Sequence, residues 1–473
     1  MVNLFIFHRD LRLHDNTTLI HLLKEKENCI PIFIFTPEQI NPKKNKYFSN
    51  NSVQFMIESL HELSNDIQKY KGKMYFFKGD NMKVIKAIHK LIGIESISFN
   101  IDYTPYATKR DNEINKFCND NNIICYMKED YPLYNILNNE TKKIDGTPYL
   151  VYTPFLKHLT NNIKVREVDK YNKFKFIKNK ELESLKYHMD EKEIDDFYKE
   201  NKDVNVRGGR SNCVKILNNI DNFKEYSKKR DFLIYKTTFL SAGLHFNIVS
   251  IREVYHKVYS VLGKSSGILR ELVFRDFYMN IIHNFPYILQ GQIKGKNISY
   301  KKEYDNIKWS YNKNKFDKFC SGNTGFPIID ACIRQLLKTG YMVNRGRMVV
   351  ASFLTKDLHI DWRWGEQFFA QHLVDYDPIN NSQGWMWTTG NGTDAQPWFR
   401  IFNPWTQQKN YDKDCEYILK WVPELKNVLI KDIHNWFKSD INEKYKDINY
   451  PKPMIIHDEE RLETIKLYKE GLK

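Results

Sequence analysis

Aromatic side chains that could stack on bases or carry electrons are concentrated in the last third of the sequence. All nine tryptophans follow residue 308: Trp309, Trp362, Trp364, Trp385, Trp387, Trp398, Trp405, Trp421 and Trp436. Core packing explains many of them, because indole is a bulky apolar group. As a group beside charged and amide side chains, however, they indicate a site for base stacking, for electron transfer, or for both.

The charge balance favours a polyanionic partner. There are 73 Lys and Arg residues against 58 Asp and Glu, which gives a formal charge of +15 and a pI near 9.1. A positive surface attracts nucleic acid through counterion release, although a lysine-rich surface that only aids solubility explains the charge equally well. The seven cysteines are dispersed without a C-x-x-C pair, which predicts a reducing compartment and neither a disulfide framework nor a metal site.

The elements that must position these residues change character along the chain. Short apolar runs alternate with helical patterns at first, and they predict a doubly wound parallel, Rossmann-like sheet. These runs are 4–7, 30–35, 74–77, 97–101 and 123–126. Charged and amide residues then dominate, and amphipathic helical stretches follow. We therefore predict an α/β domain over 1–128, a long linker over 129–204 and an all-helical domain over 205–473.

The ends and the apolar runs suggest a soluble protein. The chain opens on Val2–Phe7, which is typical of a strand rather than of a targeting peptide. No apolar run approaches the roughly 18 residues of a membrane span. We expect an intracellular monomer, in the cytoplasm or nucleus, that has no membrane partner.

Ordered motifs along nearly the whole chain carry a resemblance to a known family. They include FHRDLR at 7–12, YTPF at 152–155, RELVFRDFY at 270–278, TGFP at 324–327, DWRWGE at 361–366, DYDPINN at 375–381, GWMW at 384–387, GTDA at 392–395 and WFRIFNP at 398–404. This pattern resembles the cryptochrome/photolyase family, in its class I-like branch that repairs cyclobutane pyrimidine dimers. The resemblance implies an N-terminal antenna domain and a helical domain that binds FAD.

The same resemblance implies a set of flavin-binding residues. The expected phosphate-binding residues are Thr237, Thr238, Leu240 and Ser241, with Tyr226 upstream, because hydroxyls and N–H groups near a helix start suit a pyrophosphate. Taken alone, two threonines before a helix more often form a simple cap. Arg347 and Asp375 are expected to form an ion pair beside the isoalloxazine, with Asp377 close by. Asn381 is expected to face flavin N5, where a neutral amide adds no repulsive charge to a reduced, anionic flavin. Cryptochromes of plants and animals tend to carry Asp or Cys there, so Asn381 favours a repair enzyme.

Three tryptophans match the family's electron-transfer chain from the flavin to the surface. They are Trp385, Trp362 and Trp309. Indole can be oxidised transiently, so such a chain lets a photoexcited flavin draw electrons from outside. Each tryptophan could belong to the core, but three matches together favour the functional interpretation.

Further residues match those that bind a damaged dinucleotide flipped out of DNA. By resemblance, Trp387 stacks on the dimer and Met348 contacts its apolar side. Glu271 and Asn344 hydrogen-bond it, and Glu271 stabilises the dimer radical anion. Candidates for the DNA rim, or for ordering the site, are Arg230, Arg275, Arg345, Arg400 and Gln407, although surface salt bridges explain any one arginine equally well. Phe274 stands where these enzymes commonly have a second stacking tryptophan.

Several alternatives stay open. A cryptochrome receptor is disfavoured because no long tail follows the core, and a (6-4) photolyase because that branch tends to carry Gln at Glu271 and a histidine near Asn344. A basic DNA-binding protein without redox activity is the third alternative. The antenna chromophore is undecided: Ala107 stands where folate-binding members have Glu, which disfavours folate in that mode and leaves a deazaflavin, a second flavin or no antenna.

Overall fold

The computed structural model describes residues 1–290, 292–293, 296–297 and 299–473, and these residues form two compact units. Unit 1 contains Met1–Asn201, Val206–Lys224 and Thr238–Leu289. Unit 2 contains Lys202–Asn205, Glu225–Thr237 and Gln290–Lys473. The units are groups of residues in contact, so the functional division at 128 and 204 stays a prediction.

A six-stranded sheet organises unit 1. Its strands are β1 (Val2–Phe7), β2 (Ile30–Phe35), β3 (Tyr75–Lys78), β4 (Ile94–Ile101), β5 (Ile124–Glu129) and β6 (His188–Met189). They lie in the order β5-β4-β1-β2-β3-β6, and all neighbours are parallel except β3 and β6. The five predicted strands are therefore confirmed. The short β6 lies in the predicted linker, where two residues are too few to show a periodic pattern.

Buried strands and amphipathic helices explain why this sheet forms. Every residue of β2 is buried, as expected for a parallel strand covered on both faces. Leu4 pairs with Ile30 on one side and with Ile97 on the other, so the apolar runs form continuous rows. The helices of unit 1 are Thr17–Lys26, Pro37–Ile40, Asn50–Lys69, Asn81–Ile92, Pro105–Asp120, Tyr152–Asn162, Arg210–Asn218, Ser241–His245, Ile251–Leu262 and Gly267–Asn284.

A buried ionic network connects the end of β5 to a helix much later in the chain. Asp130 accepts hydrogen bonds from Arg12 at 2.9 and 2.7 Å and from Arg252 at 2.8 Å. Arg252 also pairs with Asp15 at 2.8 Å. All four side chains are almost fully buried. Such a network tolerates no missing partner, because an unpaired buried charge is costly.

Helices dominate unit 2, which confirms the predicted fold class of an α/β part and a helical part. They are Tyr226–Lys229, Lys313–Cys320, Pro327–Thr339, Asn344–Ser352, Trp362–His372, Pro378–Thr389, Pro404–Tyr411, Glu416–Trp421, Ile430–Ile433, Ser439–Lys444 and His457–Gly471. A π-helical turn at Phe353–Asp357 continues the helix that begins at Asn344. Among the described residues, no helix is both long and apolar enough to cross a membrane.

Candidate functional site

The Arg347–Asp375 pair is formed in unit 2. Arg347 Nη2 lies 3.0 and 2.9 Å from the two carboxylate oxygens of Asp375, and its Nε donates to the Met342 carbonyl at 2.8 Å. The Asp375 side chain is 4% exposed and that of Arg347 27%. A guanidinium held in place and still partly accessible can bind an anionic ring system, since its other donors remain available for charge-assisted hydrogen bonds.

Tyr341 links this ion pair to the first residue of the predicted phosphate stretch. The Arg347 guanidinium lies 5.6 Å from the centre of the Tyr341 ring. The Tyr341 hydroxyl shares a hydrogen bond of 3.0 Å with Thr237 Oγ1, and burial raises the pKa of this tyrosine. Thr237 and Arg347 therefore belong to one network inside unit 2, which the sequence did not predict.

The helix Pro378–Thr389 is preceded by its capping residue Asp377 and presents Asn381. The Asp377 carboxylate caps the helix by accepting from the Asn380 N–H at 2.9 Å. The Asn381 amide nitrogen donates to the backbone carbonyl and to Oε1 of Glu366, both at 3.0 Å. Both amide protons therefore have acceptors, so the amide oxygen of Asn381 can accept a hydrogen bond from another group. Flavin N5 carries such a proton in the reduced state, so the orientation fits a reduced flavin.

The three tryptophans of the predicted chain differ in their exposure. Trp385, 2% exposed, packs edge to face on Phe369 with ring centroids 5.0 Å apart. Its indole occupies the space that a side chain at position 365 would fill: a Cβ on Gly365 would lie 2.1 Å from the Trp385 ring. Trp362 is 5% exposed, and Trp309 is only half-buried. The order from buried to accessible is the order that an electron-transfer chain from solvent to an interior electron acceptor requires.

Trp387 lies on the other side of the same helix from the buried Trp385. Residues two positions apart on a helix do not share a face, so Trp385 packs inward while Trp387 stays half-buried. Asn381 and Trp385, four positions apart, do share a face. One helix therefore carries the residue proposed for the flavin, the first tryptophan of the chain and the tryptophan proposed for the lesion.

The helix Asn344–Ser352 carries three more candidates. Asn344, its exposed first residue, donates from Nδ2 to Met348 Sδ at 3.7 Å, so the two side chains lie together. Arg345 pairs with Asp231 at 3.0 Å and lies 4.4 Å from the centre of the Tyr411 ring. These contacts suit the ordering role that was one of the two expectations for Arg345.

Arg400 and Gln407 lie on either side of the start of the helix Pro404–Tyr411. The Arg400 side chain is exposed, and its backbone carbonyl accepts from the fully buried Lys356 Nζ at 2.8 Å. Lys356 also donates to the Trp398 carbonyl at 3.2 Å, and burial lowers its pKa to about 7. Gln407 Oε1 is buried and has no hydrogen-bond partner among the described residues. The burial of Lys356 could not be predicted from the sequence, because lysine side chains are mostly exposed.

In unit 1, the helix Gly267–Asn284 presents a single accessible face. All of its residues are buried except Arg270, Glu271 and Phe274, followed by His283 and Asn284 at its end. Glu271 and Phe274, three positions apart, are both half-buried and share a face. The two residues predicted to contact a damaged base are therefore neighbours, as a carboxyl and an aromatic ring on one surface.

Arg275 lies on a buried side of this helix. It is 9% exposed and donates to the carbonyls of Tyr131 at 2.7 Å and Leu244 at 3.2 Å. These contacts agree with its expected ordering role more than with a place at the DNA rim. The neighbouring Asp276 accepts from the N–H groups of Leu133 and Tyr134, and burial raises its pKa to about 7.

The remaining predicted residues lie at the boundary between the units along the chain. Tyr226 and Arg230 belong to unit 2 and are half-buried. Thr238, Leu240 and Ser241 belong to unit 1, where Thr238 Oγ1 accepts from the Leu240 N–H at 3.4 Å and the helix Ser241–His245 begins. Thr238 thus sets the turn that precedes this helix.

Comparisons with known proteins agree with these features. The family model "DNA photolyase" matches residues 3–172, and "FAD binding domain of DNA photolyase" matches residues 268–470. A deoxyribodipyrimidine photo-lyase from Alkalihalophilus pseudofirmus is 33% identical over 98% of this chain and 97% of its own.

Two solved structures share the fold over nearly the whole chain. The photolyase of Sulfolobus tokodaii, solved with two FAD molecules, is 34% identical with a TM-score of 0.86, over 99% of this chain and 100% of that one. A Synechocystis cryptochrome is 25% identical with a TM-score of 0.86, over 98% and 99%. The chain therefore belongs to the DNA photolyase family, within the wider cryptochrome/photolyase group, and carries that family's FAD-binding domain.

Proposed function

We propose that this protein is a class I-like photolyase that splits cyclobutane pyrimidine dimers in UV-damaged DNA under blue light. The observation that carries the proposal is the accessible face of the otherwise buried helix Gly267–Asn284. It offers Glu271 for hydrogen bonds to pyrimidine edges and Phe274 for stacking, which are the two contacts that a flipped dimer needs. The formal charge of +15 supports a nucleic-acid substrate.

The residues that match the family's flavin-binding motifs are proposed to hold FAD. When bound in its reduced form, FAD supplies an electron to the dimer under light and takes it back after the ring has opened. Arg347, fixed by Asp375, places a positive charge for the anionic flavin ring. Asn381, oriented by Glu366, offers an amide oxygen to the N5 proton. Thr237, Thr238, Leu240 and Ser241, with Tyr226, are proposed for the phosphates, and Asp377 for holding the helix that carries Asn381.

The lesion is proposed to contact Glu271, Phe274, Asn344, Met348 and Trp387. Asn344 and Met348 are already in contact, so an amide and a thioether form one mixed surface. Trp387 supplies an indole face, and stacking of one base on an aromatic side chain is worth about 1–3 kcal/mol. Arg230, Arg345, Arg400 and Gln407 are proposed for the DNA rim or for ordering it, and Arg275 for ordering alone.

The domain roles follow the same proposal. Residues 1–128 are proposed as the antenna domain, 129–204 as the linker and 205–473 as the FAD-binding domain. Ala107 lies in the first turn of the helix Pro105–Asp120 and is 1% exposed. Because its side chain is a methyl group, this position offers an antenna chromophore no carboxylate. The mass and absorbance spectrum of chromophores released from purified protein would identify a deazaflavin, a second flavin or folate.

Repair of a defined lesion tests the main proposal. Purified, photoreduced protein is expected to restore intact thymines in an oligonucleotide with one cyclobutane thymine dimer, only under blue light. An oligonucleotide with one (6-4) photoproduct is expected to stay unrepaired, because Asn344 cannot act as the acid that a histidine supplies. A dark reaction is the control. Repair of the (6-4) lesion alone would favour a (6-4) photolyase. No repair of either lesion by flavin-loaded protein would favour a cryptochrome receptor.

The electron-transfer chain makes a separate prediction. Trp362→Phe is expected to remove most of the light-driven reduction of oxidised flavin, because phenylalanine is far harder to oxidise than tryptophan. Chemical reduction beforehand is expected to restore repair in this variant. The flavin absorbance under illumination with an external reductant measures the effect. Trp421→Phe is the matched control, because Trp421 is a half-buried tryptophan that is not part of the electron-transfer chain. Equal photoreduction of the flavin in wild type and Trp362→Phe would show that Trp362 does not take part in electron transfer.

A further inference from the structure

We propose that Tyr152 is a positioning residue that braces Phe274, so that the two rings together replace a single stacking tryptophan. The inference rests on the proposed function, because it concerns how the dimer is bound. Its basis is a contact within unit 1: the ring centroids of Tyr152 and Phe274 lie 4.3 Å apart, with an angle of 47° between the planes. This is the shortest separation that Phe274 makes among its described ring contacts.

The hydroxyl end of Tyr152 is held by the helix Gly267–Asn284, which also carries Phe274. Tyr152 is 7% exposed, and its hydroxyl donates to the Arg270 carbonyl at 2.6 Å. In a helix, that carbonyl also accepts from the N–H four residues later, which is the N–H of Phe274. Tyr152 therefore contacts both the carbonyl that accepts the backbone hydrogen bond of Phe274 and the phenyl ring of Phe274.

Other aromatic rings complete the support of Phe274. Tyr278 packs at 4.8 Å and 86°, and Phe277 at 6.0 Å and 65°, so both meet the phenyl group edge to face. Phe274 is nevertheless only half-buried, so part of its surface remains accessible beside Glu271. A phenyl ring has less area than an indole, and a ring that must be ordered on binding loses further affinity. A ring already held in place avoids that second loss.

Binding of a dimer-containing oligonucleotide and of its undamaged counterpart, in the dark, tests the inference. Tyr152→Leu is expected to weaken binding of the damaged oligonucleotide by about three- to tenfold, the range for one aromatic contact. Binding of the undamaged oligonucleotide and the flavin content are expected to stay unchanged. In the Phe274→Ala background, Tyr152→Leu is expected to cause no further loss, because a brace acts only through the ring that it holds.

Two further variants keep the test decisive. Tyr149→Leu is the matched control: Tyr149 lies three residues earlier and packs on Phe155 and His158. Tyr152→Phe keeps the ring and removes only the hydroxyl, so it is expected to fold even if Tyr152→Leu does not, and to give a smaller loss in the same direction.

The outcomes separate this inference from the proposed function. Equal weakening for damaged and undamaged DNA, or additive losses in the double variant, would overturn the bracing role and leave the function intact. If the wild-type protein binds both oligonucleotides equally, the proposed function fails, and the bracing of a lesion contact fails with it.

Discussion

Asp375→Asn is expected to leave the purified protein largely without flavin and therefore without repair activity. The change keeps the size of the side chain but removes the charge that fixes Arg347 at 2.9 and 3.0 Å. Breaking a buried ion pair costs about 3–5 kcal/mol. Because the Arg347 side chain is 27% exposed, solvent reduces this cost, and we expect a loss of about 2–3 kcal/mol in flavin binding, or about 30- to 150-fold.

The ratio of flavin absorbance to protein absorbance after purification measures this effect, followed by a titration with free FAD. Asp317→Asn is the matched control, since Asp317 pairs with Lys313 on an exposed helix face of the same unit. Such surface pairs contribute about 0–1 kcal/mol. Full flavin content in Asp375→Asn, with unchanged affinity, would mean that the ion pair serves the fold of unit 2 and does not position a charge for the cofactor.

Asp130→Asn is expected to lower the stability of unit 1 by about 3–5 kcal/mol, the cost of removing one partner from a buried ionic network. Asp130 is fully buried and accepts from Arg12 and Arg252, from Thr17 at 2.6 Å and from Asn247 at 2.9 Å. Asparagine places an NH₂ group against two guanidinium groups and supplies no charge to balance them.

The same carboxylate predicts a pH dependence of stability. Burial alone would raise the pKa of Asp130, but the charges of Arg12 and Arg252 and the hydrogen bonds from Thr17 and Arg12 hold it well below its ordinary value of 3.8. A depressed pKa in the folded state stabilises the protein above the unfolded-state pKa, and this stabilisation is lost as the pH falls below it. The wild-type unit 1 is therefore expected to lose stability below about pH 4 more steeply than Asp130→Asn does.

The measurement must report on unit 1 itself. All nine tryptophans belong to unit 2, so their fluorescence does not follow the unfolding of the sheet. Hydrogen exchange of the amides in β1 and in the helix Ile251–Leu262 does follow it, because Arg12, five residues after β1, and Arg252, in that helix, both donate to Asp130. Asp66→Asn, which removes a surface partner of Lys69 in unit 1, is the control. Equal protection in Asp130→Asn and wild type would show that the network contributes no net stability.

Much of the architecture could be predicted from the sequence, because local patterns determine it. Short apolar runs such as Ile30–Phe35, alternating with amphipathic helical stretches, favour strands of a sheet with both faces covered, and the structure has the five parallel strands that they predict. The helical character of the later residues and the grouping of the tryptophans were equally visible. The ordered motifs gave the family, and with it the candidate residues Arg347 and Asp375, which the structure brings into contact.

Only the tertiary structure decided what many of these side chains contact. Arg275 donates to carbonyls 144 and 31 residues away, and Asn381 is oriented by Glu366 fifteen residues earlier, on another helix. The partners of Phe274 and Arg345, Tyr152 and Asp231, are likewise distant in the chain. Local propensity determines whether a segment is a strand or a helix and which face is apolar. The partner of a polar or aromatic group depends instead on which elements pack together, and that is determined by the burial and hydrogen bonding of the whole chain.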